Sequence, residues 1–155
     1  MFVVRAPIPD PNSLTQIDFY FHVEDKMQTA CRIVARAMEQ GLRVMLFTPD
    51  AATSDKLDRM LWTSPAIGFV PHCRSGDELA PATPVIVDHL SDVLVHDEVL
   101  VNLHPEWPPF FGRFRRLVEI VGRDEADKQA ARLRFRFYRD RGYQIQHHDL
   151  GDGAP

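Results

Sequence analysis

The sequence predicts a single α/β domain built on a mostly parallel sheet with helices packed against it. Three observations predict it. An aromatic and β-branched run at Ile17–Val23 gives way at once to a helical period, and the same strand–helix order repeats from Arg43 to Trp62. Three further β-branched runs follow, at 84–87, 98–103 and 117–121. Across 155 residues no internal repeat and no linker divides the chain, and that length suits one domain.

In chain order, Pro7, Pro9 and Pro11 keep residues 1–15 out of regular structure, so they read as an extended arm, and the domain proper is expected over 16–148. Ile17–Val23 reads as a buried strand. Glu24 and Asp25 place negative charge where a helix N-terminus favours it. Met27, Cys31, Val34 and Met38 supply the helical period, and Gly41 ends that helix as a C-cap glycine. Arg43–Thr48 is a second strand and Pro49-Asp50 a turn. Ser54 is expected to cap a short helix containing Leu57, Met60, Leu61 and Trp62, which Ser64-Pro65 ends. Residues 69–72 read as a short extended piece and 74–83 as a surface loop. Residues 84–87 and 98–103 are the third and fourth strands. Trp107–Phe111 is expected to open a short helix, with proline tolerated in its first turn. Leu117–Val121 is the fifth strand, ended by Gly122. Tyr143–Gln146 reads as a last, edge strand, and 149–155 as a frayed tail.

Between Gly122 and Tyr143 lies the most informative stretch. Read as a helix, it has two stripes. Ala126, Ala130, Leu133 and Phe137 recur at helical spacing and are expected to face the core. Lys128, Arg132, Phe135 and Arg139 recur at the same spacing, turned away from the first stripe: a cationic ridge with one aromatic set into it. The net charge of −4 conceals this asymmetry. Residues 113–141 hold ten Lys and Arg against five acids, leaving the remainder of the chain strongly acidic. Direct DNA binding usually goes with a basic domain overall; a local basic ridge on an acidic chain suits an acidic partner instead. A ridge of this composition fits a peptide that is acidic and ends in an apolar group.

Other chemistries find less support. The first strand–helix turn, His22-Val23-Glu24-Asp25-Lys26, has no glycine and two acids, so a phosphate would be repelled rather than cradled, and no G-x-x-x-x-G-K-[ST] is present. Asp50 stands where a ribose-binding acid would sit, a weak signal alone. His147-His148 are neighbours that point to opposite faces of a strand, and His72-Cys73 lack a second pair at ligand spacing, so no metal is expected. Asp88-His89 and His96-Asp97 come without a nucleophile motif. Cys31 and Cys73 are far apart in sequence, and the apolar runs are too short for a membrane span; the cytoplasm is the compartment expected. Trp62 and Phe69 read either as core rings or as an exposed aromatic patch of the kind found at interfaces.

The pattern L-D-x-x-L-W-x-x-P-x-x-x-F-V-P-H over Leu57–His72 resembles the chi subunit of bacterial DNA polymerase III holoenzyme, a clamp-loader accessory protein. Phe19-Tyr20, Gly41–Val44, Lys128–Arg132, Tyr138-Arg139 and Gly142-Tyr143 extend the resemblance over about 16–146. The resemblance implies a Rossmann-like domain without nucleotide binding or cofactor, and a non-enzymatic bridge. It implies that Lys128, Arg132 and Phe135, with Val121 nearby and Arg139 in the same row, bind the acidic C-terminal tail of single-stranded-DNA-binding protein. The family often has Tyr where this chain has Phe135, which keeps the apolar wall and drops a hydroxyl. The resemblance implies that Trp62 and Phe69 meet the psi subunit, and in some bacteria a helicase. The competing readings are a nucleotide-dependent enzyme on the same fold and a direct single-strand binder stacking bases on Phe135.

Overall fold

A computed structural model describes residues 14–63 and 70–151. Most of the expected N-terminal arm, the Ser64-Pro65 helix stop, Phe69 and the last four residues lie outside the described residues. Among the described residues seven strands form one sheet in which every pairing is parallel: β1 (Gln16–Val23), β2 (Val44–Phe47), β3 (His72–Cys73), β4 (Val85–Asp88), β5 (Val99–Asn102), β6 (Arg116–Gly122) and β7 (Ile145–Asp149). Their spatial order is β3-β4-β2-β5-β6-β1-β7. Helices α1 (Lys26–Glu39), α2 (Ala51–Thr63) and α3 (Glu125–Asp140) cover the two faces.

The strands are nearly continuous apolar runs because both faces are covered, as a parallel sheet requires. Alternation still sorts the side chains. Val44, Leu46, Val85, Val87, Val99 and Val101 meet Ala30, Val34, Leu57 and Leu61 of α1 and α2. Met45, Phe47, Ile86, Leu100, Ile17 and Phe19 meet Ala131 and Tyr138 of α3, with Phe111 and Phe114. Each large aliphatic chain buried here contributes roughly 1.5–3 kcal/mol.

Local signals explain the helix ends, with several corrections to the sequence reading. Asp25 caps α1 by accepting from the Gln28 amide at 3.1 Å. Gly41, at φ +73°, turns the chain out of α1, and its amide donates to Met38 O. Helix α2 begins at Ala51, not at Ser54, and runs thirteen residues. Its capping side chain is Asp50, which accepts from the Thr53 amide at 2.8 Å; Ser54 is instead buried against Thr48, their hydroxyls 2.7 Å apart. An aspartate right after β2 reaches the free amides first, so the serine is spent on packing. The extended piece near 72 pairs with β4 and is a true edge strand. The short helix expected from Trp107 is only a 3-10 turn at Phe111–Arg113. The last strand reaches Asp149, and the Leu150 amide still donates to Phe21 O at 3.0 Å, so the expected fraying does not begin at 149.

Helix α3 carries the main correction. Its buried residues are Ala131, Arg134 and Tyr138. Most of the stripe expected to face the core does not: Leu133 is 59% exposed, Ala126 is exposed and Ala130 is only partly covered, while Phe137, half-buried, packs against the core beside Phe111 and Tyr138. A buried arginine has displaced the apolar pattern, for the reason given below.

Candidate functional site

Helix α3 starts where β6 ends. Asp124 accepts from the Asp127 amide at 3.2 Å, and the Asp127 carboxylate in turn takes the Gly122 amide at 2.5 Å and the Lys26 ammonium at 3.1 Å. A Cβ at Gly122 would sit 3.1 Å from that carboxylate, tighter than an ordinary contact, so a larger residue there would press on Asp127. Glu125 and Asp127 in the first turn also favour the helix electrostatically. The turn thus fixes the rotation of α3, and with it which of its cations point inward and which outward.

The inward cation is Arg134. Its Nε donates to Glu119 at 3.0 Å and its Nη1 to Pro105 O at 2.7 Å. Glu119 projects from β6 and is fully buried; it also accepts from the Tyr138 hydroxyl at 2.6 Å and from Asn102 at 3.1 Å. Burial pushes the Glu119 carboxyl above the usual carboxylate range, against the pull of Arg134, Tyr138 and Asn102. Burial and the adjacent Glu119 push the Tyr138 hydroxyl up as well, so it serves as a donor. Asn102 donates to the carbonyls of His104 and Glu106, tying the network to the loop after β5. This network anchors α3 to β5 and β6.

The outward cations border a cavity of about 450 Å³ between α3 and the β1–β7 side of the sheet. Lys128, Arg132, Arg136 and Arg139 line its helix wall, together with Ala131 and Phe135. Phe21, His22, Val121, Gly122 and His147 line the rest. The cavity brings together Lys128, Arg132, Phe135 and Arg139, the four residues that the sequence groups at one ridge, and Val121 of β6, which the resemblance places beside them. Its Phe21, His22, Val121 and Gly122 stand at the C-terminal ends of β1 and β6, where parallel α/β sheets commonly bind ligands. Among the described residues none that lines it is acidic. Its cations are only loosely engaged. Arg132 stands 3.5 Å from Glu125 and Arg139 3.2 Å from Asp140, both pairs on the exposed surface and worth little.

Sequence reasoning missed Phe21, His22, Arg136 and His147. Phe21 and His147 stack at 5.5 Å, and Phe135 leans on His147 at 5.2 Å and edge-on to Phe19 at 5.5 Å. Phe135 is therefore half-buried in an aromatic floor rather than standing out from the helix. His22 has φ +59°, at the irregularity where β1 leaves its register with β6, and its Nδ1 lies 2.8 Å from Asp149. The alternation Tyr143-Gln144-Ile145-Gln146-His147 carried the signal for His147: odd positions share one face.

The other residues singled out lie elsewhere. Trp62 is 59% exposed at the end of α2 and contacts His72 edge-on, ring centres 5.3 Å apart. Asp50 is occupied as the cap of α2; its bonds to Thr53 hold its carboxyl below the usual range. His148 turns to the opposite face from His147, stacking on Tyr20 at 4.4 Å and meeting Asp18 at 3.0 Å. Asp88 is claimed by the Ser75 hydroxyl and amide and by the amides of His89 and Leu90. Although burial raises its carboxyl, those bonds outweigh it and hold it low. Among the described residues no three His, Cys, Asp or Glu side chains converge as a metal site would need, and no helix is long and apolar enough to cross a membrane.

Fold and site define a class: a Rossmann-like parallel α/β domain whose first strand–helix turn carries no phosphate loop and whose cavity beside the last helix is cationic. Residues 14–146 match the family described as DNA polymerase III chi subunit, HolC. The protein named DNA polymerase III subunit chi in Pseudomonas aeruginosa is 36% identical over 141 residues, which cover 88% of this chain and 98% of that protein. Those of the same name in Escherichia coli and Haemophilus influenzae are 30% identical over 119 residues and 29% over 125, covering 76% and 80% of this chain and 81% and 87% of their own. The chain belongs to the DNA polymerase III chi subunit family, a family of replication accessory subunits.

Proposed function

We propose that this chain is a non-catalytic, cytoplasmic subunit of the DNA polymerase III clamp loader, and that its cavity beside α3 takes the acidic C-terminal tail of single-stranded-DNA-binding protein. The observation that carries this reading is the composition of the cavity: four cations on one wall, an aromatic floor and no acid among its described lining. Arg132 presents a planar fork suited to a carboxylate, and Lys128 adds a second charge one helical turn away. The floor formed by Phe135, Phe21 and His147 accepts a terminal aromatic ring, whose burial contributes roughly 1.5–3 kcal/mol. Ordering a short peptide costs free energy, so affinity falls in the micromolar range and weakens with salt.

The N-termini of the three described helices do not favour a nucleotide. Asp25, Asp50 and Asp124 each place their own carboxylate on the free amides where a phosphate would bind. The exposed Trp62, with Phe69 beside it in the sequence motif, is the surface we assign to psi, and to a helicase in lineages that use one.

Fluorescence anisotropy with a labelled acidic peptide ending in Asp-Ile-Pro-Phe tests the tail site. Removal of the final Phe abolishes binding, and Arg132→Ala weakens it by roughly 1.5–3 kcal/mol, the scale of a charged hydrogen bond. Trp62→Ala leaves it unchanged. Undiminished affinity of Arg132→Ala would overturn the assignment.

A further inference from the structure

The sheet ends in two unlike edges. Strand β3 offers two residues; β7 offers five and, among the described residues, pairs only with β1. The register runs from Ile17↔Ile145 to Phe21↔Asp149. Ile17 N donates to Gln144 O at 3.3 Å and Leu150 N to Phe21 O at 3.0 Å, so the even-numbered residues direct their backbone groups at β1. In a parallel ladder the intervening residues then direct theirs the other way. The N–H and C=O of Ile145, His147 and Asp149 therefore point out of the sheet, and no described residue bonds to them. Proteins usually blunt such an edge with proline, lysine or a bulge, and β7 has none of these.

The edge is continuous with the cavity. His147 contributes both an outward backbone pair and a ring to the cavity floor. Beyond Lys128 and Arg132, which the tail carboxylate would occupy, Arg136 and Arg139 continue the cationic wall along the same side. Asp149, the one acid on β7, has its charge engaged by His22 and by the Gly151 amide, each at 2.8 Å.

We propose that the free edge of β7 receives the acidic peptide as an eighth strand. This inference rests on the tail-docking reading above and adds how the peptide's main chain is held. The peptide terminus lies at the C-terminal ends of β1 and β6, so the segment before it runs in the same direction as β7, parallel to it. Its backbone pairs with Ile145, His147 and Asp149, and its acidic side chains on the α3 face meet Arg136 and Arg139. The main-chain bonds supply affinity that is indifferent to sequence; the pocket and the arginines supply selection.

An N-methyl scan of the acidic peptide, with the protein unaltered, is the direct test, read by anisotropy beside amide hydrogen exchange of β7. Methylation at alternate peptide residues weakens binding about tenfold while the intervening positions are unaffected, and the amides of Ile145, His147 and Asp149 gain protection on saturation. If the parent peptide binds but the scan shows no period of two and these amides stay unprotected, the edge plays no part and tail docking stands without it. If the parent peptide does not bind, the cavity reading falls and the strand with it. If the three amides are protected without peptide, increasingly so with protein concentration, the edge belongs to a second copy of the chain and the proposal is overturned.

Discussion

Arg132 and Arg134 stand two residues apart on α3, and their fates differ completely. The Arg134 side chain is 2% exposed and bonded to a fully buried carboxylate; that of Arg132 is 61% exposed beside a cavity, loosely facing Glu125. One arginine is part of the architecture and the other is available to a ligand. What separates them is the rotation of the helix and the presence of Glu119 on β6, not residue type. A buried charge is tolerable only when paired and hydrogen-bonded, and Arg134 meets that demand through Glu119 and Pro105.

The contrast can be broken most forcefully at Arg134. Arg134→Ala leaves Glu119 buried without its cation and destabilises the fold by about 3–5 kcal/mol in urea unfolding. Arg132→Ala changes the same measurement by no more than about 0.5 kcal/mol, as expected of an exposed side chain. Equal effects at the two positions would erase the distinction drawn here. A smaller probe is Tyr138→Phe, which removes one donor from Glu119 without removing its charge partner and costs about 1–3 kcal/mol. Smallest is Leu133→Ala. If the stripe of Ala126, Ala130 and Leu133 were core, this change would cost about 2–5 kcal/mol; on the observed surface it costs less than about 0.5 kcal/mol.

The outer row was legible in the sequence because exposed cations at helical spacing need no partner elsewhere in the chain to be recognised. The inner row was not. Hydrophobic periodicity assigns the core to Ala126, Ala130, Leu133 and Phe137, and nothing within α3 announces that an arginine outranks them. The reason sits in β6, at Glu119, a contact that spacing along one helix cannot reveal. The strands were read well for the converse reason: in a sheet covered on both faces, continuous apolar runs such as Val44–Phe47 are unambiguous. The cavity was half legible. Its helix wall came from one segment, but Phe21, His22 and His147 belong to strands distant in sequence, and only the parallel pairing of β7 with β1 brings them together.

That pairing also governs when the cavity comes into being. Among the described residues β1 is the first strand, yet its partners are β6 and β7, the last two. During synthesis the apolar run Phe19-Tyr20-Phe21 must wait for both neighbours, and such distant closures slow folding. A nascent chain that has not yet emerged as far as His147 has no aromatic floor to offer a ligand. The cavity wall is thus assembled from both ends of the fold, and it exists only once β7 has paired with β1.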